Sequence, residues 1–274
     1  MNRYDLHTHS TASDGTLSPS ELVRRAHSRG VEVMAITDHD CTDGIAEAMA
    51  EAEKVGLTLI PGVEMSVTWE EGQLLHVVGL RIDPGNPLLQ EGLERLHRFR
   101  FWRAQEMGRR LLACGIAGAF EGARALAKGN IVSRTHFARF LVATGNCRDM
   151  NDAFERFLVP GKPGYVAGEW ATLAECIHWI RKAGGQAVLA HPLRYPLTAP
   201  RLRRLFEQFR ELGGEGIEVI APNTNGTHTL AQHARTFGFA GSLGSDFHSC
   251  ESPHTDIGLR ENLPNGIRPI WEHW

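Results

Sequence analysis

A chain of 274 residues, 42% hydrophobic and 22% charged, has room for one large α/β domain, or for a domain carrying an insertion. No run of about 18 apolar residues occurs and the N-terminus leads straight into a polar strand, so neither a membrane span nor a secretory leader is expected and the chain reads as cytoplasmic. The five cysteines are scattered, odd in number and never spaced C-x-x-C, which excludes a disulfide frame and a thiolate zinc knuckle.

The net charge of −3 hides an asymmetry: residues 85–162 carry 11 Arg and 2 Lys against 7 acidic residues. A basic segment beside an acidic remainder suits an anionic substrate on one side and bound cations on the other.

In chain order, residues 3–9 predict a first strand. Ser18-Pro19-Ser20-Glu21 starts a helix as a capping box with Pro at the first helical position, and Gly30 ends it. Residues 31–37 read as a buried strand running into Asp38-His39-Asp40, and a helix follows to Gly56. A strand over 57–63 leads into Glu64, and a further strand over 74–82 carries His76. Asp83-Pro84-Gly85 interrupts the alternation. From there to about Pro163 the spacing predicts only helices, near 88–114, 119–128, 133–144 and 151–158. The alternation then resumes: a Thr172/Glu175 capping box opens a helix, a strand over 186–190 leads to His191, and strands over 216–221 and 239–245 follow, the last ending in Asp246-Phe247-His248.

Seven strands, all but the fourth followed by a helix, predict an α/β fold, a (β/α)7 barrel with a helical insertion. The expected division is 1–84 and 164–274 for the barrel and 85–163 for the insertion.

Two histidines one residue apart, His7 and His9, lie on one face of a strand because side chains alternate with period two. With Asp14, His39, Glu64, His76, His191, Asp246 and His248 they form a set at or near strand ends, which share one mouth in an α/β barrel. Burying so many imidazoles and carboxylates together is costly unless cations compensate. The mixed ligand set without thiolate suits Mn²⁺, Zn²⁺ or Fe²⁺, of which Mn²⁺ is the ion expected, and nine ligands suit two or three ions. Asp38, Asp40 and Asp43 are read as supporting or capping groups.

His7-Thr8-His9, Thr37-Asp38-His39-Asp40, Glu64, His76, His191-Pro192 and Asp246-Phe247-His248 together resemble the ordered motifs of the PHP (polymerase and histidinol phosphatase) family. The resemblance implies a distorted seven-stranded barrel with a trinuclear metal centre. By the family pattern His7, His9, Glu64 and Asp246 hold the first metal. Glu64 bridges to a second, held also by His76 and His191, and Asp14, His39 and His248 hold the third. Within the insertion, Ser133-Arg134-Thr135-His136 and Gly161-Lys162-Pro163-Gly164 resemble the subgroup akin to 3′,5′-nucleoside bisphosphate phosphatases that also trim short RNA from the 5′ end.

The implied activity is phosphomonoester hydrolysis, releasing the 3′-phosphate of a nucleoside 3′,5′-bisphosphate, with Arg134 and His248 as catalytic residues. Ser133 as N-cap places Arg134 in a first helical turn, where it and free backbone amides make a phosphate seat. Arg100, Arg103 and Lys162 are further candidates for substrate phosphate, and Trp102 for stacking on a base. Exonuclease action on short single-stranded oligonucleotides, histidinol phosphate hydrolysis, a non-catalytic metal-binding module, and deamination or amide hydrolysis on a metal barrel are the alternatives, the last without the expected lysine or lone catalytic Asp pattern. No obligate protein partner is expected.

Overall fold

The computed structural model describes residues 3–221, 226–250, 256–258 and 262–274. Seven strands form one sheet that curls around a barrel: β1 (Tyr4–Asp5), β2 (Val33–Ile36), β3 (Thr58–Trp69), β4 (Gln73–Leu80), β6 (Gln186–Leu189), β7 (Gly216–Ile220) and β8 (Ala240–Leu243), neighbours in that order. The circle closes where the chain beyond β1 meets the end of β8 and the segment after it, through Leu6 N–H to Leu243 O at 3.0 Å and a parallel bridge between Thr8 and Phe247. A short β5 (Ala171–Thr172) hangs on the far end of β3.

Strand residues alternate between two apolar layers, as the period-two pleat requires. Val33, Ala35, Val78, Leu80, Val188 and Ala190 fill the barrel interior with Leu6, Ile60 and Ile270. Met34, Ile36, Val77, Ala187 and Leu189 face outward into the helix layer. That layer holds α1 (Pro19–Ser28), α2 (Ile45–Val55), α7 (Leu173–Lys182), α8 (Ala199–Glu211) and α9 (Thr227–Phe237). The expected punctuation is present. Ser18 and Glu21 exchange capping-box hydrogen bonds before α1, as do Thr172 and Glu175 before α7, and Gly56 closes α2 in the left-handed region at φ 73°.

Two expectations are corrected. The first strand is not regular over residues 3–9: only Tyr4 and Asp5 pair in register with β2, and beyond them Thr8 bonds to Ala35 and Thr37 at the end of that neighbour while His7 and His9 turn inward. The third strand does not stop before Glu64. It runs on to Trp69, turns tightly at Glu70–Gly72 and pairs antiparallel with β4 over eight register positions, from Gly62 opposite Leu80 to Trp69 opposite Gln73. Since β4 is also antiparallel to β6, its N-terminal end is the one at the barrel mouth, which is how His76 gets there. A hairpin, not a helix, follows the third strand.

Between β4 and β5 the chain is helical: α3 (Pro87–Ala113), α4 (Ala119–Leu126), α5 (Arg134–Ala143) and α6 (Met150–Ala153), the last continuing as a single wider turn over Phe154–Leu158. The first half of α3 lies on α7. Gly92 permits this approach, since a Cβ there would sit 2.6 Å from the Trp179 ring. The second half of α3 carries Ala104, Met107 and Leu111 into a separate apolar cluster with Ala123, Phe137, Leu141 and Leu158, so these helices have a core of their own. No helix of the described residues is long and apolar enough to cross a membrane.

Candidate metal and phosphate site

The barrel brings its candidate ligands to one point. His7 and His9 approach with their Nε2 atoms 3.1 Å apart. Glu64, in mid-strand on β3 and fully buried, is the centre of the group. Its Oε1 lies 3.0 Å from His76 Nδ1, 3.2 Å from His191 Nε2 and 3.3 Å from His7 Nε2, and its Oε2 lies 2.7 Å from His39 Nδ1 and 3.4 Å from His9 Nε2. Asp246 Oδ1 stands 3.2 Å from His9 Nε2 and 3.4 Å from His7 Nε2, while Asp14 Oδ1 stands 3.3 Å from His248 Nε2 and 3.9 Å from His39 Nε2.

Three groups therefore each have ligand atoms within 4.8 Å of one another: His7, His9 and Asp246; His39, Glu64 and His76; and His9, Asp14, His39 and His248. These groups hold eight of the nine residues singled out in the sequence, and the ninth, His191, adjoins them through Glu64. His39 sits nearer Glu64 than Asp14, between the second and third groups rather than in the third alone.

Whether cations suit this set can be judged from its unmet polar atoms. His9 Nδ1, Asp14 Oδ1, His39 Nδ1, Glu64 Oε2, His76 Nδ1 and His191 Nδ1 are buried and make no hydrogen bond. His39 Nδ1 and Glu64 Oε2 are 2.7 Å apart yet make no hydrogen bond, since closeness without alignment is not one. Buried polar atoms in a folded protein are ordinarily satisfied. Atoms that approach one another without bonding are arranged like ligands aimed at a common centre, and the residues fit divalent cations.

The electrostatics agree. Burial works against charge on every member, yet the group polarises. Against burial, His76, His39 and His7 hold Glu64 well below the usual carboxylate range, and His248 and His39 do the same for Asp14. Glu218, Glu64 and Asp246 more than offset burial at His7 and hold its pKa well above the ordinary value, and Asp14 and Asp246 raise His248 to about 9. His9 goes the other way, to about 3, pushed by burial and by His248 and His39. A centre that draws positive charge this strongly is one into which cations can substitute for protons.

Supporting groups fix the frame. Asp38 accepts from the backbone N–H groups of Ser10 and Ser13 and from both their hydroxyls, which shapes the turn leading to Asp14. Asp40, at φ 48°, accepts from Ser66 N–H at 2.6 Å and pairs with Arg100 at 2.6 Å. Arg194 pairs with Asp246 through the oxygen turned away from the histidines.

Beside this group lies a pocket of about 110 Å³, lined among others by Asp14, His39, His76 and His248 on one wall and Arg100, Arg103 and Arg134 on the other. Arg134 opens α5. Ser133 caps that helix, accepting from Thr135 N–H at 3.1 Å, and donates its hydroxyl to Asp14 Oδ2 at 2.9 Å. The three arginines differ in partner. Arg100 is engaged by Asp40 and Ser66, whereas Arg103 donates to the Val166 carbonyl at 2.9 Å and lies over the Tyr165 and Trp170 rings. Arg134 lies over the Phe154 ring at 5.9 Å and has no carboxylate within ion-pair distance among the described residues. Burial, then Arg134 and Arg100, push Arg103 down to about 9, and burial lowers Arg134 as well. Guanidinium does not deprotonate at such sites, so these are buried cations held close to one another, a setting that an anion would relieve.

The structure leaves two of the substrate candidates outside. Trp102 is half-exposed, packs on Phe99 and does not line the pocket, and Lys162 is exposed in its loop. Trp170 lines the pocket instead. Helical spacing put Trp102 one residue before Arg103 but could not say which face of α3 turns inward. One residue escaped sequence reasoning altogether: Glu218, buried in mid-β7, whose Oε1 is 2.6 Å from His7 Nδ1. Its signal was a lone carboxylate inside the apolar run Gly216-Ile217-Glu218-Val219-Ile220.

A mouth of this kind, imidazoles and carboxylates converging on a seven-stranded barrel, defines a class of metal-dependent phosphoesterase folds. The chain belongs to the PHP domain family, whose pattern it matches over residues 5–185. It is 46% identical over 274 residues to a Chromobacterium violaceum protein named 3′,5′-nucleoside bisphosphate phosphatase, covering 99% of this chain and 96% of that one. It is equally 46% identical over 275 residues to the Escherichia coli strain K12 5′-3′ exoribonuclease Rnm, covering 99% and 93%. Among solved structures, one from C. violaceum described as an amidohydrolase with bound sulfate and no metal superimposes with a TM-score of 0.94 at 46% identity, covering 98% of this chain and 94% of that one. A Bifidobacterium adolescentis structure, assigned as a metal-dependent phosphoesterase, follows at 0.85 and 28% identity, covering 97% and 93%.

Proposed function

We propose that this protein is a metal-dependent phosphomonoesterase that removes the 3′-phosphate of nucleoside 3′,5′-bisphosphates, giving a 5′-mononucleotide and phosphate. The observation that carries the reading is the pocket with two unlike walls. One is a buried imidazole–carboxylate group fit for cations; the other holds Arg134 and Arg103, two guanidiniums with no carboxylate partner among the described residues. A substrate with two phosphates matches both. The names of the relatives supply the same chemistry independently.

In this reading His7, His9, Glu64 and Asp246 hold one ion, Glu64, His76 and His191 a second, and Asp14, His39 and His248 a third. Mn²⁺ is our first choice among the ions that imidazole with carboxylate and no thiolate admits, Zn²⁺ and Fe²⁺ being the others. Divalent cations there supply neutralisation of the phosphate charge and a water acidic enough to act near neutral pH. The chain's own residues do the rest. Arg134 and Arg103 grip the phosphate that is not cleaved, and this remote binding orients the reacting one. His248 Nδ1 is engaged by the Asp246 carbonyl at 2.9 Å, which leaves its Nε2 lone pair for a cation. His248 is accordingly assigned as a ligand rather than a proton donor. Arg100, neutralised by Asp40, supports the wall instead of gripping substrate. The helical segment 85–163 acts as the substrate cap, since it supplies all three arginines, and the site of action is the cytoplasm.

The test is phosphate release from adenosine 3′,5′-bisphosphate with Mn²⁺, set against histidinol phosphate. Faster turnover of histidinol phosphate would sink the substrate assignment. A second reading, stepwise removal of nucleotides from the 5′ end of short RNA, is favoured by the exoribonuclease relative at the same identity. A 5′-phosphorylated oligoribonucleotide tests it, with release of 5′-mononucleotides expected.

A further inference from the structure

We propose that Glu218 is a positioning residue that sets two metal ligands at once, fixing His7 in the tautomer that turns Nε2 toward the centre. The inference rests on the metal-dependent reading above. Glu218 is buried and sits on β7, two strands from β1 around the closed barrel. Its Oε1 lies 2.6 Å from His7 Nδ1, and its Oε2 accepts the His191 backbone N–H at 2.6 Å. A carboxylate can only accept, so the shared proton belongs to Nδ1 and the Nε2 lone pair is left facing His9, Glu64 and Asp246. Ligand histidines commonly have their second nitrogen engaged in this way, which fixes ring orientation and raises basicity. Here the same carboxylate also anchors His191, whose φ of 31° is an uncommon one for a side-chain-bearing residue and needs support.

The intervening strand is built to let Glu218 pass. Its neighbour across the β7–β8 pairing is Ser242, small and buried. Two residues on is Gly244, where a Cβ would lie 2.2 Å from His7 Cβ. A larger residue at either position would close the route between β7 and β1. A serine, a glycine and one internal carboxylate in line with a ligand histidine make a linked arrangement that packing alone would not require.

Glu218→Gln is nearly isosteric but can present acceptors to only one of its two donors. Titrating metal-free protein with Mn²⁺ by calorimetry, we expect one class of site to weaken about 10- to 100-fold, with the remaining class unchanged. Wild-type affinity and stoichiometry in E218Q would overturn the proposal, as would equal weakening of every site together with loss of melting temperature in the metal-free protein. If E218Q does not fold, the wild-type protein decides. Loaded with Zn²⁺ and observed by long-range ¹⁵N–¹H NMR, His7 is expected to carry its proton on Nδ1, and a proton on Nε2 refutes the assignment. Neither readout involves substrate, so a wrong substrate assignment leaves both results interpretable.

Discussion

Ser133 and Asp14 are joined by a hydrogen bond of 2.9 Å across 119 residues of sequence, linking the cap of α5 to a candidate metal ligand at the barrel mouth. The same Ser133 positions Arg134 by capping the helix that Arg134 opens. Arg139, one turn further on, donates to the Asp14 carbonyl at 3.0 Å. One helix start thus ties the phosphate-gripping wall to the cation-holding wall.

Ser133→Ala removes the cap and the bond to Asp14 together. Loss of a cap costs about 1 kcal/mol, so a modest fall in melting temperature is expected. The fall in metal affinity and the rise in KM for a bisphosphate should both exceed what that destabilisation explains. Calorimetric metal titration beside steady-state kinetics checks this. A variant with lowered melting temperature but unaltered KM and metal affinity would reduce Ser133 to a capping residue.

Arg134 and Arg100 line one pocket but should behave differently when replaced. Arg134→Ala removes a guanidinium with no carboxylate partner among the described residues, so the fold is expected to persist while kcat/KM for a bisphosphate falls about 10- to 100-fold. Arg100→Ala leaves Asp40 buried without its partner, and such losses cost about 3–5 kcal/mol. Urea unfolding of the two variants should therefore show the large stability loss in R100A alone.

Removing divalent cations should destabilise the protein as well as inactivate it, because cations bind the folded arrangement and not the unfolded chain. At a hundredfold excess over Kd the linkage is worth about 2.7 kcal/mol. Thermal unfolding with chelator, then with Mn²⁺ restored, measures this. No change in melting temperature on reloading would contradict a preformed cation site.

At Glu175, Arg95 is the main cause of a carboxylate pKa lowered to about 2, with burial opposing and the Thr172 cap assisting. A lowered folded-state pKa gives stability that is present above the unfolded value and is lost as pH falls toward about 2. Both side chains are more than a third exposed, so solvent screening holds the contribution under about 1 kcal/mol. Glu175→Gln should be less stable than wild type near neutral pH, and the gap should narrow on acidification. Denaturant unfolding at several pH values tests the sign, and a gap that widens in acid would refute it.

Much of the barrel was legible because local rules suffice for it. Capping boxes at Ser18 and Thr172, the left-handed Gly56, and apolar strands leading into His39, His191 and Asp246 are all short-range signals. The β3–β4 hairpin was not legible, because nothing local in the sequence says that β3 continues for five residues beyond Glu64 to the turn where Glu71 and Gly72 take positive φ. Trp102 and Trp170 show a different limit. They lie 68 residues apart, and only the seating of α3 against the barrel decides which one reaches the pocket.

By itself the sequence determined the kind of chemistry: His7-x-His9 on one strand face, carboxylates and histidines at strand ends, and a basic helical segment follow from side-chain periodicity and residue type. Only the tertiary structure decided which groups act together. Closure of the barrel set Glu64 among five histidines, reversed β4 so that His76 faces the mouth, gave Arg100 to Asp40 while leaving Arg134 for an anion, and brought Glu218 under His7. Those pairings join residues far apart in the chain, and distance through space, which sets both hydrogen bonding and Coulomb energy, is not written in sequence spacing.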